Sequence, residues 1–232
     1  MASKQLSELN QLQKLLHYGR EQGLLHASLA GIGRKLPGVW HALGGSLTPA
    51  AYRRYAKRIS PEERLLNLGS GSHRISGAFN VDIDPRADAY VNVTRRLPFP
   101  NRAFRNIFCE EVLEHVNGDQ GLQMLKECWR ILQPGGVCRI TTPDLDYFAR
   151  QALDMDRLGL EMNLIFYGHG HRHIYTEPSL HDAMQKAGFG EIVFSSYRDG
   201  QSVLGRHDSH ADRFGHPPEI FLYCEAQKPQ LE

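Results

Sequence analysis

The run LLNLGSGSHRISGAFNVDID, Leu65 to Asp84, constrains this chain most: a short apolar strand breaks into a glycine turn, and a second strand ends in an acid. Leu65, Leu66 and Leu68 read as a buried strand. Gly69 and Gly71 allow a tight turn and a close backbone approach to a ligand. Phe79-Asn80-Val81-Asp82 then ends on a carboxylate suited to ribose hydroxyls. A GxG turn alone is common, but here turn and carboxylate converge on one nucleoside from adjacent strands. Gly69 and Asp82 are 13 positions apart, against about 20 in the dinucleotide fingerprint. The crossover is therefore expected as a turn or irregular loop instead of a full helix. His73 stands where a third glycine would permit close helix packing, which removes that packing.

Downstream, the chain alternates as a doubly wound sheet should. Strands are predicted near Tyr90 to Val93, Asn106 to Cys109 and Val137 to Thr141. A helix from Gly121 to Leu132 is stopped by Pro134-Gly135-Gly136. A later helix, Ser179 to Ala187, is halted by Gly188, and strands follow at Ile192 to Tyr197 and Glu219 to Ala226. Five segments recur in order: LNLGSG, VDI, LPF (Leu97 to Phe99), LEH (Leu113 to His115) and RILQPGG (Arg130 to Gly136). Together they resemble the class I S-adenosylmethionine-dependent methyltransferases, and within them the type 11 branch. The resemblance covers roughly residues 64 to 228. It implies an α/β fold with a Rossmann-like, doubly wound, mostly parallel seven-stranded sheet whose last strand inserts antiparallel beside the sixth. It also implies S-adenosyl-L-methionine as cofactor.

Ligands in such sheets bind beyond the carboxyl ends of the strands. The resemblance accordingly places Gly69, Ser70 and Gly71 at the methionine part of the cofactor, Asp82 at the ribose, Asn92 at the adenine and Glu110 at the methionine end. Asn92 stands where the family usually has Asp; its amide can still accept and donate, and a turn-forming role competes with the adenine one. Glu111 and Glu114 read as early-helix carboxylates, and His115 as packing against the sheet. The loop YGHGHRHIYTEP, Tyr167 to Pro178, alternates His169, His171 and His173, which invites a metal. No compact partner set is visible in the sequence, so no metal site is assigned. His171 matches the family's loop histidine. It is the first candidate for the general base that a hydroxyl acceptor needs, against a role in ordering the loop. Asp144 is the second candidate, against a role capping the helix that begins at Leu145.

The formal net charge of +1 argues against affinity built on a strongly basic nucleic-acid face. Cys109, Cys128, Cys138 and Cys224 show no C-x-x-C spacing and read as reduced core thiols. MASKQLSELNQL lacks an apolar signal core and no run is long enough to span a bilayer, so the expectation is a cytoplasmic protein. Two parts are expected: an N-terminal helical appendage, 1–60, and the main domain, 61–232. In the appendage Leu6, Leu9, Leu12 and Leu16 recur at helical spacing. A looser stretch with Gly31, Gly33, Pro37, Gly38, Gly44 and Gly45 follows, and Thr48-Pro49 reads as N-cap and first residue of a basic helix. Arg53, Arg54, Lys57 and Arg58 on it read as a solvated face, and the appendage as a cap over the site. The leading expectation is O-methylation of a small molecule or sugar-containing intermediate, with no nucleic-acid partner. Alternatives are a catalytically inactive cofactor-binding module or partner subunit and, behind it, an NAD-dependent oxidoreductase. The last expects a third glycine and a longer first crossover.

Overall fold

The computed structural model describes residues 37–154 and 158–230. Strand β1 (Leu65–Leu68) lies inside the sheet because all four of its residues are buried. It pairs in parallel with β2 (Phe79–Asp82) on one side and β4 (Phe104–Glu110) on the other. The seven strands run β3-β2-β1-β4-β5-β7-β6, where β3 is Ala89–Tyr90, β5 Leu132–Pro143, β6 Gly190–Ser195 and β7 Phe221–Gln227. β7 is antiparallel to both β5 and β6, as the resemblance implied, and the other pairings are parallel. The order reverses between β1 and β4, which opens a crevice at the carboxyl ends of those strands. Between β1 and β2 the chain forms turns and bends without a helix, as the short spacing demanded.

Several boundaries differ from expectation for identifiable reasons. β3 stops at Tyr90 because Asn92 Oδ1 accepts from the Thr94 amide (2.9 Å) and hydroxyl (2.7 Å), bending the chain out of the sheet. β5 begins at Leu132, with Pro134-Gly135-Gly136 inside the strand. A register shift on β4 between Phe104 and Asn106 accommodates it. The preceding helix, α2 (Gly118–Ile131), starts three residues early because Asn117 and Gln120 close a capping box. Thr176 and Ser179 do the same for α5 (Glu177–Ala187), which Gly188 ends at φ +102°.

The basic helix also differs. Helix α1 spans Pro37–Ala56 and continues through Thr48 and Pro49, so Thr48 is not its N-cap. The Thr48 hydroxyl is hydrogen-bonded to the carbonyls of Gly44 and, at 2.6 Å, Tyr90. Gly44 and Gly45 are helical, not loose. A Cβ on Gly44 would lie 2.4 Å from the Tyr90 Cβ, so this glycine lets α1 lie against β3. Tyr52 enters the main core among Phe79, Phe99 and Phe104, and its hydroxyl donates to the Ala103 carbonyl. Arg53, Arg54, Lys57 and Arg58 are exposed, as a solvated face should be. The leucine stripe from Leu6 to Leu16, with Gly31 and Gly33, lies outside the described residues. All four cysteines are buried thiols. Among the described residues no helix is long and apolar enough to cross a membrane.

Candidate active site

Two adjoining cavities open at the carboxyl ends of the strands. The larger, about 510 Å³, is bordered by Gly69, Ser70, Gly71, Asp82, Asn92 and Glu110, which brings together all six residues assigned to the cofactor. The turn is held by its own strand ends: the amides of Gly69 and Ser70 donate to the Val81 carbonyl, and the Gly71 amide donates to Asp82 Oδ2 at 2.7 Å. The two glycines do different work. A Cβ on Gly69 (φ +76°) would lie 2.1 Å from Val112 Cγ2, whereas one on Gly71 (φ +49°) would meet nothing within 4 Å. Gly69 is thus a packing requirement and Gly71 faces open space. The Ser70 hydroxyl is buried without a hydrogen-bond partner among the described residues. At Asn92 the turn reading holds: both lone pairs of Oδ1 are taken by Thr94, which leaves only the amide donors for a base.

Glu110 borders the cleft, but its carboxylate is committed elsewhere. It accepts from the Ser209 amide and hydroxyl, from His210 and, at 2.6 Å, from Arg213. Burial alone would raise its pKa. The hydrogen bonds from His210 and Ser209 and the Arg213 charge outweigh burial and hold it down at about 2. Its observed work is to anchor helix α6 (His210–Phe214), which carries Arg213 and Phe214 to the cleft edge.

Glu111, read from sequence as structural, occupies the junction. It follows β4 directly, adopts φ +60°, and borders both cavities. A left-handed conformation at a non-glycine residue is strained and collects at functional sites. Its Oε1 is buried without a partner among the described residues. Burial, then the charges of Glu114 and Glu110, push its carboxyl up to about 9, so it is protonated at neutral pH. Glu114 is fully buried in the short helix Leu113–His115. Its Oε2 accepts from Thr142 Oγ1 at 3.0 Å, and burial raises it to about 7. Glu111 precedes that short helix and Glu114 is buried within it, so neither is a simple solvated early-helix charge.

The second cavity, about 240 Å³, lies beyond Glu111. Phe148, Ile165, Ile220 and Phe221 form apolar walls, while His169 and His171 bring imidazoles to it. Leu164–Gly168 beside it winds as a π-turn, a form found often at functional sites. His171 stacks on His169 (5.6 Å between centroids) and meets His115 edge-on (4.9 Å). Burial, followed by the neighbouring His115 and His169, lowers its pKa to about 4, so the ring is neutral at physiological pH. His173 instead packs on Tyr175, which separates it from the other two. Asp144 Oδ1 accepts from the Asp146 amide at 2.9 Å at the start of α3 (Leu145–Asp154), so the capping role is the observed one.

Sequence reasoning missed Glu111, Ile83 and Arg213. The first two each follow a strand end and were open to discovery by the rule that selected Asp82. Arg213 arrives from 103 positions beyond Glu110, and nothing local marks it.

Comparison with known proteins follows the same line. Residues 40–192 match the family described as a methyltransferase domain. A probable methyltransferase of Aspergillus luteorubrus is 26% identical over 132 residues, 51% of this chain; the match spans only 46% of that relative. An S-adenosylmethionine-dependent methyltransferase from Thermotoga maritima superposes with a TM-score of 0.52 at 18% identity, over 85% of this chain and 98% of that one. A second, from Archaeoglobus fulgidus, gives 0.50 at 14% identity, over 79% and 94%.

Proposed function

The chain belongs to the methyltransferase-domain family, the class that draws its methyl group from S-adenosylmethionine, and we propose that it transfers that methyl to an oxygen of a small-molecule acceptor in the second cavity. The carrying observation is the junction at Glu111, where one half-buried carboxyl borders both a nucleoside-sized cleft and an apolar cavity lined by imidazoles. The cleft suits the cofactor on this chain's own evidence: open space at Gly71, an unpartnered buried Ser70 hydroxyl, and a carboxylate at the end of β2.

When bound, S-adenosylmethionine supplies a methyl carbon already activated by a sulfonium charge, so the protein's work is to hold, align and desolvate. Asp82, half-exposed Ile83 and Arg213 line the cleft: Asp82 would accept from the ribose hydroxyls, Ile83 would cover an apolar ring face, and Arg213 would add a cation for the amino-acid carboxylate. Protonated Glu111 would offer a hydrogen-bond donor at the boundary. The apolar walls of the second cavity favour a compact acceptor with a flat or aliphatic body; a sugar would set its hydroxyls against Phe148 and Phe221. Neutral His171 offers a lone pair to the acceptor hydroxyl, and Asp144, occupied as a helix cap, is the weaker base. A nicotinamide reading has less support, since no helix N-terminus follows the glycine turn to receive a pyrophosphate.

Titration calorimetry with S-adenosylhomocysteine and with NAD tests the cofactor, with binding expected for the first only. Binding of NAD alone would overturn the reading. Labelled methyl transfer across phenols, small alcohols and nucleotide sugars then tests the acceptor. His171→Ala should lower turnover by about 10²-fold at unchanged cofactor affinity; unchanged turnover across pH would remove its role as base.

A further inference from the structure

The LEH segment and the histidine loop are read separately in the sequence, but the fold clamps them together. The Glu114 backbone carbonyl accepts from the amides of Arg172 (2.7 Å) and His173 (3.2 Å), which fixes the register of the loop on the short helix. In that register Glu114, His115 and His171 each offer one ligand atom, and all three atoms lie within 4.8 Å of one another. We infer that Glu114, His115 and His171 form a binding site for a divalent transition-metal ion of the zinc class, between the cofactor cleft and the acceptor cavity.

Two imidazoles and one carboxylate are a donor set for zinc and its first-row neighbours; magnesium and calcium prefer all-oxygen sites. Ligands about 2.0–2.2 Å from zinc stand roughly 3.4 Å apart in a tetrahedron. The trio must therefore draw in by up to about 1.4 Å. Two independent observations point to a ligand. Glu114 is fully buried, its Oε2 is held by Thr142, and its Oε1 has no partner among the described residues. His171 Nδ1 is likewise buried and unpartnered. Unpaired buried polar atoms destabilise the fold, and a cation would satisfy both.

Three protein ligands leave a fourth position for water or an acceptor oxygen. In the metal-loaded protein His171 would be a ligand in place of a base; this consequence rests on the methyl-transfer reading, whereas the binding does not.

The test is made on full-length protein stripped with chelator and confirmed folded by circular dichroism. Zinc titration against a chromophoric chelator should show one site, and cobalt(II) should give visible ligand-field bands. His171→Ala and His115→Ala should each weaken binding at least about tenfold; the exposed His115 variant keeps the test decisive if Glu114→Gln fails to fold. His173→Ala should bind as wild type. No zinc binding by the folded protein, undiminished binding in both histidine variants, or equal loss at His173 would each overturn the site. S-adenosylhomocysteine titration of the same stripped sample separates the two readings. Cofactor binding without zinc removes the metal alone, and zinc binding without cofactor removes the methyl-transfer reading alone.

Discussion

Asp82 carries two loads at once, and that makes it the most informative single residue. Oδ2 holds the Gly71 amide and Oδ1 holds the Asp84 amide at 2.8 Å, so the carboxylate shapes the turn that it would also use to face a ribose. Asp84 is different: its carboxylate pairs with exposed Arg86. Asp82→Ala should therefore weaken S-adenosylhomocysteine binding by at least about tenfold, while Asp84→Ala stays within a few-fold, as losing hydrogen bonds to a charged group costs roughly 1.5–3 kcal/mol. Calorimetry on both variants checks this, and equal affinities would detach Asp82 from the ligand. The glycines give a second contrast. Gly69→Ala meets Val112 and must also hold a left-handed φ, so it should lose about 2–4 kcal/mol of stability in urea, partly restored by adding Val112→Ala. Gly71→Ala should lose only the smaller backbone cost. Comparable losses at both positions would show that the Val112 contact is not what demands a glycine.

At the scale of elements, what could be read from sequence tracks how local the cause is. The β1 turn, the helixless crossover and the Gly188 stop depend on neighbouring residues, and the structure has them where the sequence puts them. β5 runs past Thr141 to Pro143 because β7, about 80 positions away, pairs with it up to Pro143, and it begins at Leu132 because β4 pairs there through Phe104. Helix α1 runs through Pro49 because Thr48 and Gly44 are fixed by Tyr90, again a distant cause. The site divides the same way: the six residues assigned to the cofactor from sequence lie at or just beyond strand ends in a readable pattern, whereas the convergence of Glu114, His115 and His171 depends on hydrogen bonds between segments 55 or more positions apart. The segment from Ser195 to Phe214 is the extreme case. Arg139 on β5 is fully buried and forms a two-point ion pair with fully buried Asp208 (2.7 and 2.6 Å). The Ser195 and Ser202 hydroxyls and the Ser196 carbonyl also accept from it, and Glu225 lies 4.0 Å away. Removing one member strands a charge in the core, so Asp208→Ala should cost about 3–5 kcal/mol. Since Asp208 adjoins Ser209, it should weaken cofactor binding as well, through the misplaced Arg213. A urea midpoint within 1 kcal/mol of wild type would show that the pair is not holding this segment.

Across the whole molecule the charges nearly cancel, at a formal +1, so uniform self-repulsion is weak near neutrality and a few buried groups should govern how stability follows pH. Glu110 and Glu111 are adjacent and pull in opposite directions. Glu110 has a folded pKa of about 2 against an ordinary 4.5. Its contribution is complete above pH 4.5 and is lost as pH falls toward 2; by linkage it is at most about 3 kcal/mol. Glu111 is raised to about 9 and Glu114 to about 7. The folded state therefore holds their protons more tightly than the unfolded chain does. Their contribution is complete below pH 4.5 and is lost as pH rises through those values. The expected profile is a maximum near pH 4, with an acid limb set by Glu110 and an alkaline limb, beginning just above pH 4.5, set by Glu111 and Glu114. Urea midpoints of wild type, Glu110→Gln and Glu111→Gln from pH 3 to 9 check this directly. Glu110→Gln should flatten the acid limb and lower the plateau, because Arg213 and His210 lose their anion. Glu111→Gln should match wild type near pH 4 and exceed it at pH 8, since an amide keeps a donor at the cavity boundary without ever becoming a buried charge. A constant difference between wild type and Glu111→Gln across the whole range would mean that Glu111 does not titrate in the folded protein, and the protonated carboxyl placed between the two cavities would have to be given up.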